Sequence, residues 1–520
     1  MSSLRVSSGN KKPLSGMINA ILLAMIPSLR GIRFFLFSGT RRFQLPVLLV
    51  VFQMQRSFMS FSIANLLSQH RTDKFDLHER YLNAQMVRVL KTIGYDRNYE
   101  RAIGQYLYDE HGNEYLDLLS GFGVYAFGRN HPTIVNALKE VLSLEMPDLV
   151  QMDVSVLSGL LAKEILLTTP DNLERVFFCN SGTEAVEAAI KFARYVTKRN
   201  RIVCCDHAYH GLTMGALSLN GEQIFKDGFG PLLQDCGSVP FNDLAALERA
   251  LSNRDVAAFI VEPIQGKGVN IPDDNYLPEI EKLCKKYGTL FVADEIQTGL
   301  GRTGKFWAIE HWGVKPDMIC MAKALSGGFV PVGAVAMTQQ IMDKVFNRMD
   351  RAVVHGSTFS KNNMAMAAGL ASLEVIKAEN LVENSAKIGA EIISKINALT
   401  DQFEFLKEVR GKGSMIAVEF KSPSSLSLKA AWMMLEAANK GLFCQMITIP
   451  LFKEHRILTQ VAGHGMNVVK LLPPLILTQK DLDHIISAFT KTIADTHQVP
   501  GSIWELGKNL ASHALKTKAG

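Results

Sequence analysis

The chain runs to 520 residues, 47% hydrophobic and 20% charged, enough to bury a large core and to divide into more than one lobe. Its formal net charge of +6 misleads: nine of the 56 basic residues precede Asp73, where no acid occurs, leaving 47 bases against 50 acids in the body, a net of −3. No basic run interleaved with aromatics occurs there, which argues against a nucleic-acid partner, and seven cysteines without a Cys-x-x-Cys spacing suit neither a disulfide framework nor zinc.

Residues 1–58 are acid-free and rich in Arg, Ser and Phe, a transit-peptide composition. The apolar runs 17–29 and 43–54 both fall short of the ~20 residues that span a bilayer, so no stable membrane insertion is expected. A secretory signal would use Lys11 and Lys12, but no Ala-x-Ala site follows. A start placed too early, with Met54 or Met59 as the true beginning, is preferred over an anchor. The expected location is cytoplasmic, consistent with an odd cysteine count in apolar runs, or the mitochondrial matrix if the extension is a real transit sequence.

Residues 73–122 read as an N-terminal arm contributing to a small lobe, with two short strands around a turn at His111-Gly-Asn. From 123 to 375, strands alternate with amphipathic helices, the pattern of a mostly parallel sheet covered on both faces. Within it, the run 176–179 turns through Ser181, Gly182 and Thr183 into an alanine-rich helix. Unpaired amides at such an N-terminus, with hydroxyls beside them, make an anion site, although plain N-capping by Ser181 or Thr183 needs no ligand. The apolar run 288–293 delivers Asp294 at its carboxyl end, where ligands sit in open α/β sheets; an Asp-Glu pair there also suits a metal or nucleotide. The run 318–322 ends in Lys323 before two adjacent glycines. Burial there favours a neutral amine able to attack a carbonyl, against the ordinary reading of a snorkelling side chain. A lysine and a carboxylate so delivered fit pyridoxal 5'-phosphate (PLP), whose aldehyde needs the amine and whose ring nitrogen stays protonated only beside an anion. His207, His210, His355 and His464 lack partners at ligand spacing, so no metal is expected. Residues 376–494 mix helices with strands such as 415–420 and form a C-terminal small domain. The run 441–452 reads as a core strand, or as the wall of a hydrophobic substrate channel. The tail 495–520 carries no readable role.

Taken together and in order, these segments resemble the class-III PLP-dependent aminotransferases of fold type I over residues 77–483. The shared motifs are Gly121-Phe-Gly, Ser181-Gly-Thr-Glu-Ala, Tyr209-His-Gly, Val261-Glu-Pro-Ile-Gln-Gly, Ala293-Asp-Glu-Ile-Gln-Thr-Gly, Gly301-Arg-Thr-Gly, Ala322-Lys-Ala-Leu, Gly356-Ser-Thr-Phe and Pro473-Pro-Leu. The likeness is nearest to putrescine, diamine or ornithine-type members. It implies an α/β fold: a large domain with a seven-stranded-type sheet under helices, and a smaller α+β domain.

The resemblance also implies roles. Lys323 would hold the cofactor covalently and shuttle the substrate proton, while Asp294 would pair with the ring nitrogen. Tyr209 and Ile296 would flank the ring, and Gln297 would bond its phenolic oxygen. Ser181, Gly182 and Thr183 would serve the phosphate, Glu262 would belong to the cofactor set, and Thr358 would reach the phosphate bound in a neighbouring subunit, making the enzyme a homodimer with shared sites. Two positions depart from ornithine-type relatives, which place an arginine before Pro-Pro-Leu and a glutamate after Glu-Pro-Ile-Gln-Gly. Here they are Lys470 and Lys267. A lysine offers a point charge where arginine offers a fork, so the two either read the substrate differently or face solvent. The implied reaction moves an amino group between an amino acid or amine and a 2-oxo acid or aldehyde. Alternatives are an aminomutase, racemase or decarboxylating relative on the same fold, and an inactive scaffold.

Overall fold

The computed structural model describes residues 61–148 and 152–518, so the expectations for 1–58 lie outside the described residues. The described residues fall into two units, one ending at Asp73 and the other beginning at Lys74. In the first, Ser62 caps the short helix Ile63–Gln69 by accepting from the Asn65 amide. Among the described residues no helix is long and apolar enough to cross a membrane.

In the second unit the helices Lys74–Tyr81 and Ala84–Ile93 precede β1 (Tyr99–Ile103), β2 (Tyr106–Asp109) and β3 (Glu114–Asp117), three strands paired antiparallel. Asp109 makes the tight turn between β2 and β3: its carboxylate accepts from the amides of His111 at 3.0 Å and Asn113 at 2.9 Å, as short acidic side chains do in turns.

The large sheet contains β4 (Arg175–Cys179), β5 (Arg201–Cys205), β6 (Cys236–Val239), β7 (Val256–Val261), β8 (Leu290–Asp294), β9 (Met318–Met321) and β10 (Gly333–Met337). Their order across the sheet is β4-β10-β9-β8-β7-β5-β6. Only β10 runs antiparallel to its neighbours, so the carboxyl ends of the other six share one edge. Every residue of β7 is buried, which is why these strands read as unbroken apolar runs. Phe259 and Val261 pack into one layer with Tyr276 and Trp307. Ala258 and Ile260 pack into the other with Ala189 and Phe192. The fold is therefore the mostly parallel seven-stranded α/β architecture expected.

The C-terminal strands are β11 (Leu406–Lys412), β12 (Met415–Phe420), β13 (Ile457–Leu458), β14 (Gln460–Val461) and β15 (Val468–Leu471). Four of these pair antiparallel in the order β11-β12-β15-β14, while β13 instead runs parallel to β3 and extends the N-terminal sheet.

Residues 441–452 depart from expectation. They form the helix Leu442–Lys453, buried on all sides, with Phe443 against the rings of Phe405 and Trp432 at 4.7 and 4.8 Å. A helix buried all round loses its 3.6-residue alternation, so its sequence cannot be told from a buried strand by periodicity. Its faces are filled by this core and it walls no channel. The tail also packs here: Ile503 and Trp504 are buried, and the Trp504 indole donates to the Thr496 carbonyl at 2.9 Å.

Candidate functional site

β8 and β9 are parallel neighbours, with Asp294 opposite Cys320, so Asp294 and Lys323 emerge at the same edge. Lys323 adopts a left-handed φ of +41°, costly for a residue with a Cβ. Its side chain is half-buried and no described residue accepts a hydrogen bond from its amine. Burial pushes its pKa down despite the pull of Asp294 and Glu262, which favours the neutral, nucleophilic form.

Asp294 is buried, 3% exposed. Its carboxylate accepts from the Ile296 amide at 3.1 Å and meets His210 Nδ1 at 2.6 Å. Burial works against a charged His210, but the bond and charge of Asp294, with Glu262 beyond, raise its pKa on balance. His210 Nε2 has no partner among the described residues, so the ring serves Asp294 alone. Buried Glu262 accepts from the amides of Tyr209 at 2.9 Å and Gly266 at 2.7 Å, fixing the Tyr209 backbone. Burial raises the pKa of Glu262.

At the end of β4, the Ser181 hydroxyl caps the helix Gly182–Thr197 by accepting from the Glu184 amide at 3.3 Å. The amides of Gly182 and Thr183 have no acceptor among the described residues, as the first amides of a helix lack intrahelical partners. A Cβ on Gly182 would lie 2.9 Å from Ile296, so only glycine lets this end approach Ile296. Thr183 Oγ1 lies 2.7 Å from Thr213 Oγ1, which donates to Glu187 at 2.6 Å. Free amides, a hydroxyl and a helix N-terminus together suit a phosphate.

Gln297 follows Ile296 and is held at both ends. Its Nε2 donates to the Phe122 carbonyl at 3.1 Å, and its Oε1 accepts from Lys470 Nζ at 2.6 Å. Lys470, on β15, is 3% exposed and also donates to the Gly266 carbonyl; it does not face solvent. Lys267 pairs with Glu222 at 3.0 Å, its Nζ 4.4 Å from the Phe225 ring centroid and 5.5 Å from that of Tyr209. The two lysines do not meet. Thr358 is exposed on the segment around His355, where Val353 and Phe359 are also exposed.

Burial pushes the Lys470 ammonium from 10.5 down to about 7, the charges of Lys323 and Arg302 adding to the effect and Glu262 opposing it. Between those values the unfolded chain binds more protons than the folded one, so this residue's penalty is full below about pH 7 and fades as pH rises towards 10.5. Urea denaturation from pH 6 to 10 should show the parent gaining on Lys470→Met by a few kcal/mol, on the order expected for a shift of this size. Parallel pH curves for the two proteins would contradict it.

Two residues gain a place that their sequence positions did not announce. His210 lies inside the Tyr209-His-Gly motif, but nothing local to that motif marks it as the partner of Asp294, 84 residues away. Arg302 is buried in the loop after β8 and donates to the carbonyls of Ser414 and Pro473. The motif Gly301-Arg-Thr-Gly was the available signal.

A nucleophilic amine beside a buried carboxylate, with an anion cradle on a third strand end, has the donor set that PLP requires. On an α/β sheet of this order, that set defines a fold type I PLP enzyme. The family profile "Aminotransferase class-III" matches residues 91–493, and the chain belongs to that family. Acetylornithine aminotransferase from Bacillus cereus is 38% identical over 396 residues, 76% of this chain and 94% of that protein. Aminotransferase PigE from Serratia sp. is 34% identical over 457 residues, 82% of this chain, which spans only 54% of PigE. The ornithine aminotransferase of Toxoplasma gondii, solved with PLP at partial occupancy in its active site, superposes with a TM-score of 0.70 at 27% identity, covering 86% of this chain and 98% of that one. The protein is thus a PLP-dependent aminotransferase that moves an amino group between an amino acid or amine and an oxo acid or aldehyde.

Proposed function

We propose that Lys323 and Asp294 are the catalytic pair, and that the enzyme is a homodimer acting on a donor whose amino group sits on an alkyl chain. The observation that carries the assignment is the delivery of a neutral-leaning amine and a buried anion by neighbouring strand ends. When bound, PLP draws electrons from the substrate carbon that bears the amino group. Lys323 Nζ removes the proton from that carbon and returns it elsewhere on the reacting system. Asp294 holds an anion against the ring nitrogen, and His210 orients it. Tyr209 and Ile296 flank the ring and exclude water from its faces. Gln297 Nε2 donates to the phenolic oxygen, while Ser181, Gly182 and Thr183 receive the phosphate and Glu262 steadies Tyr209.

Thr358 completes the phosphate site of a second copy of this chain. Its exposure, with Phe359 and Val353 beside it, supports that placement. All seven cysteines are free thiols, which supports a reducing, cytoplasm-like compartment. The relatives acting on acetylornithine and ornithine, with the diamine-like motifs, support a donor of that class and a 2-oxo acid as acceptor.

The test is a stopped-flow panel of ornithine, N-acetylornithine and putrescine, each mixed with PLP-loaded protein and read by cofactor absorbance. At least one should bleach the band, and 2-oxoglutarate should restore it. A band unmoved by all three donors would reject the donor class.

A further inference from the structure

Lys470 is buried beside the site, and the atoms around it define what it can do. The ammonium form of Lys470 has only hydrogens to offer, so the atom of Gln297 facing it is the amide oxygen. The Phe122 carbonyl can only accept, so the atom facing it must be the amide nitrogen. Both ends give the same orientation. The Nε2 group carries two hydrogens, and the Phe122 bond uses one. Phe122 is itself held at φ +63°, in a left-handed stretch that begins at Ser120, so the acceptor that reads Nε2 is fixed by the backbone. Gly266 completes the cluster: its carbonyl accepts from Lys470, and a Cβ there would lie 2.8 Å from Gln297 Oε1. Glycine at 266 leaves the room in which lysine and glutamine meet.

We infer that Lys470 is a positioning residue that locks the Gln297 amide with its second N–H turned into the site, and so acts on the cofactor through Gln297 instead of serving chiefly as the receptor for a substrate carboxylate. The inference rests on the reading that the phenolic oxygen of bound PLP lies beside Gln297. Without Lys470 the amide oxygen loses its donor and only the Phe122 carbonyl still holds the group, so the second N–H is no longer pinned towards the phenolic oxygen.

The test is the pH titration of the bound cofactor's absorption band in the PLP-loaded full chain, for the parent, Lys470→Met, Gln297→Leu and the double variant. Losing a donor to the phenolic oxygen makes the chromophore hold its proton more tightly. Each single variant should therefore raise the midpoint by about one pH unit, the scale of a hydrogen bond to a charged group. The double variant should match Gln297→Leu alone, because a residue acting through another adds nothing once that residue is gone. A Lys470→Met shift that persists in full in the Gln297→Leu background would overturn the inference, as would a silent Lys470→Met beside a shifted Gln297→Leu. A silent Gln297→Leu would overturn both the inference and the placement of the phenolic oxygen. If Lys470→Met loses the band, Lys470→Gln, whose shorter side chain withdraws the donor, takes its place in the cycle with the same outcomes.

Discussion

Lys323→Ala should abolish turnover while still retaining PLP noncovalently. The amine is the proposed covalent anchor and the proposed proton carrier, and no second lysine takes its position: Lys470 is committed to Gly266 and Gln297, and Lys267 to Glu222. The remaining cradle, with the free amides of Gly182 and Thr183 and the buried Asp294, is untouched by the substitution. Borohydride reduction followed by peptide mapping should fix the cofactor to Lys323 in the parent and to nothing in the variant. Loss of positioned acid–base catalysis alone typically costs 10²–10⁴-fold, and loss of the covalent anchor adds to it. Label on another lysine, or turnover within tenfold of the parent, would overturn the assignment.

Asp294→Asn should leave the fold intact and cut the rate about a hundredfold or more. Asparagine preserves the shape, and its amide oxygen can still accept from Ile296. It removes the one anion placed to keep the ring nitrogen protonated, and it leaves His210 with a neutral partner. Removing a preorganised electrostatic group of this kind costs ~2.7–4 kcal/mol of transition-state stabilisation. Steady-state kinetics with circular dichroism as a control for folding would check this. A rate near that of the parent would mean that another group supports the ring.

Much of the site was legible because each key residue ends an apolar run. The run ending at Lys323 and the strand ending at Asp294 are short, continuous and followed by glycine within a few residues, and such runs announce both a buried strand and its exit. The cap at Ser181 was equally plain, since a serine before an alanine-rich helix has a local job. The relation between distant segments was not legible. The antiparallel insertion of β10 between β4 and β9 leaves no local mark. The bond from Lys470 to Gln297 joins residues 173 positions apart, one on β15 and the other in the loop after β8. The family resemblance could say that Lys470 stands where relatives carry an arginine, but only packing says that its donors are engaged. The helix Leu442–Lys453 was misread for a related reason: once every face is buried, the pattern that names a helix disappears.

Arg302 has a consequence for how the chain comes apart. Its guanidinium is buried among carbonyls, with no acidic partner among the described residues, and burial lowers its pKa to about 9. Two of its donors are spent on Ser414 and Pro473, and its own carbonyl receives the Ser414 amide at 2.9 Å and the Ser385 hydroxyl at 3.1 Å. Peeling the C-terminal sheet away would strip the side chain of both carbonyls and the Arg302 carbonyl of the Ser414 amide, three hydrogen bonds lost in one step. The same opening lets water reach the guanidinium and relieves the burial that lowers its pKa. The seam is therefore held by these bonds and not by the charge they surround.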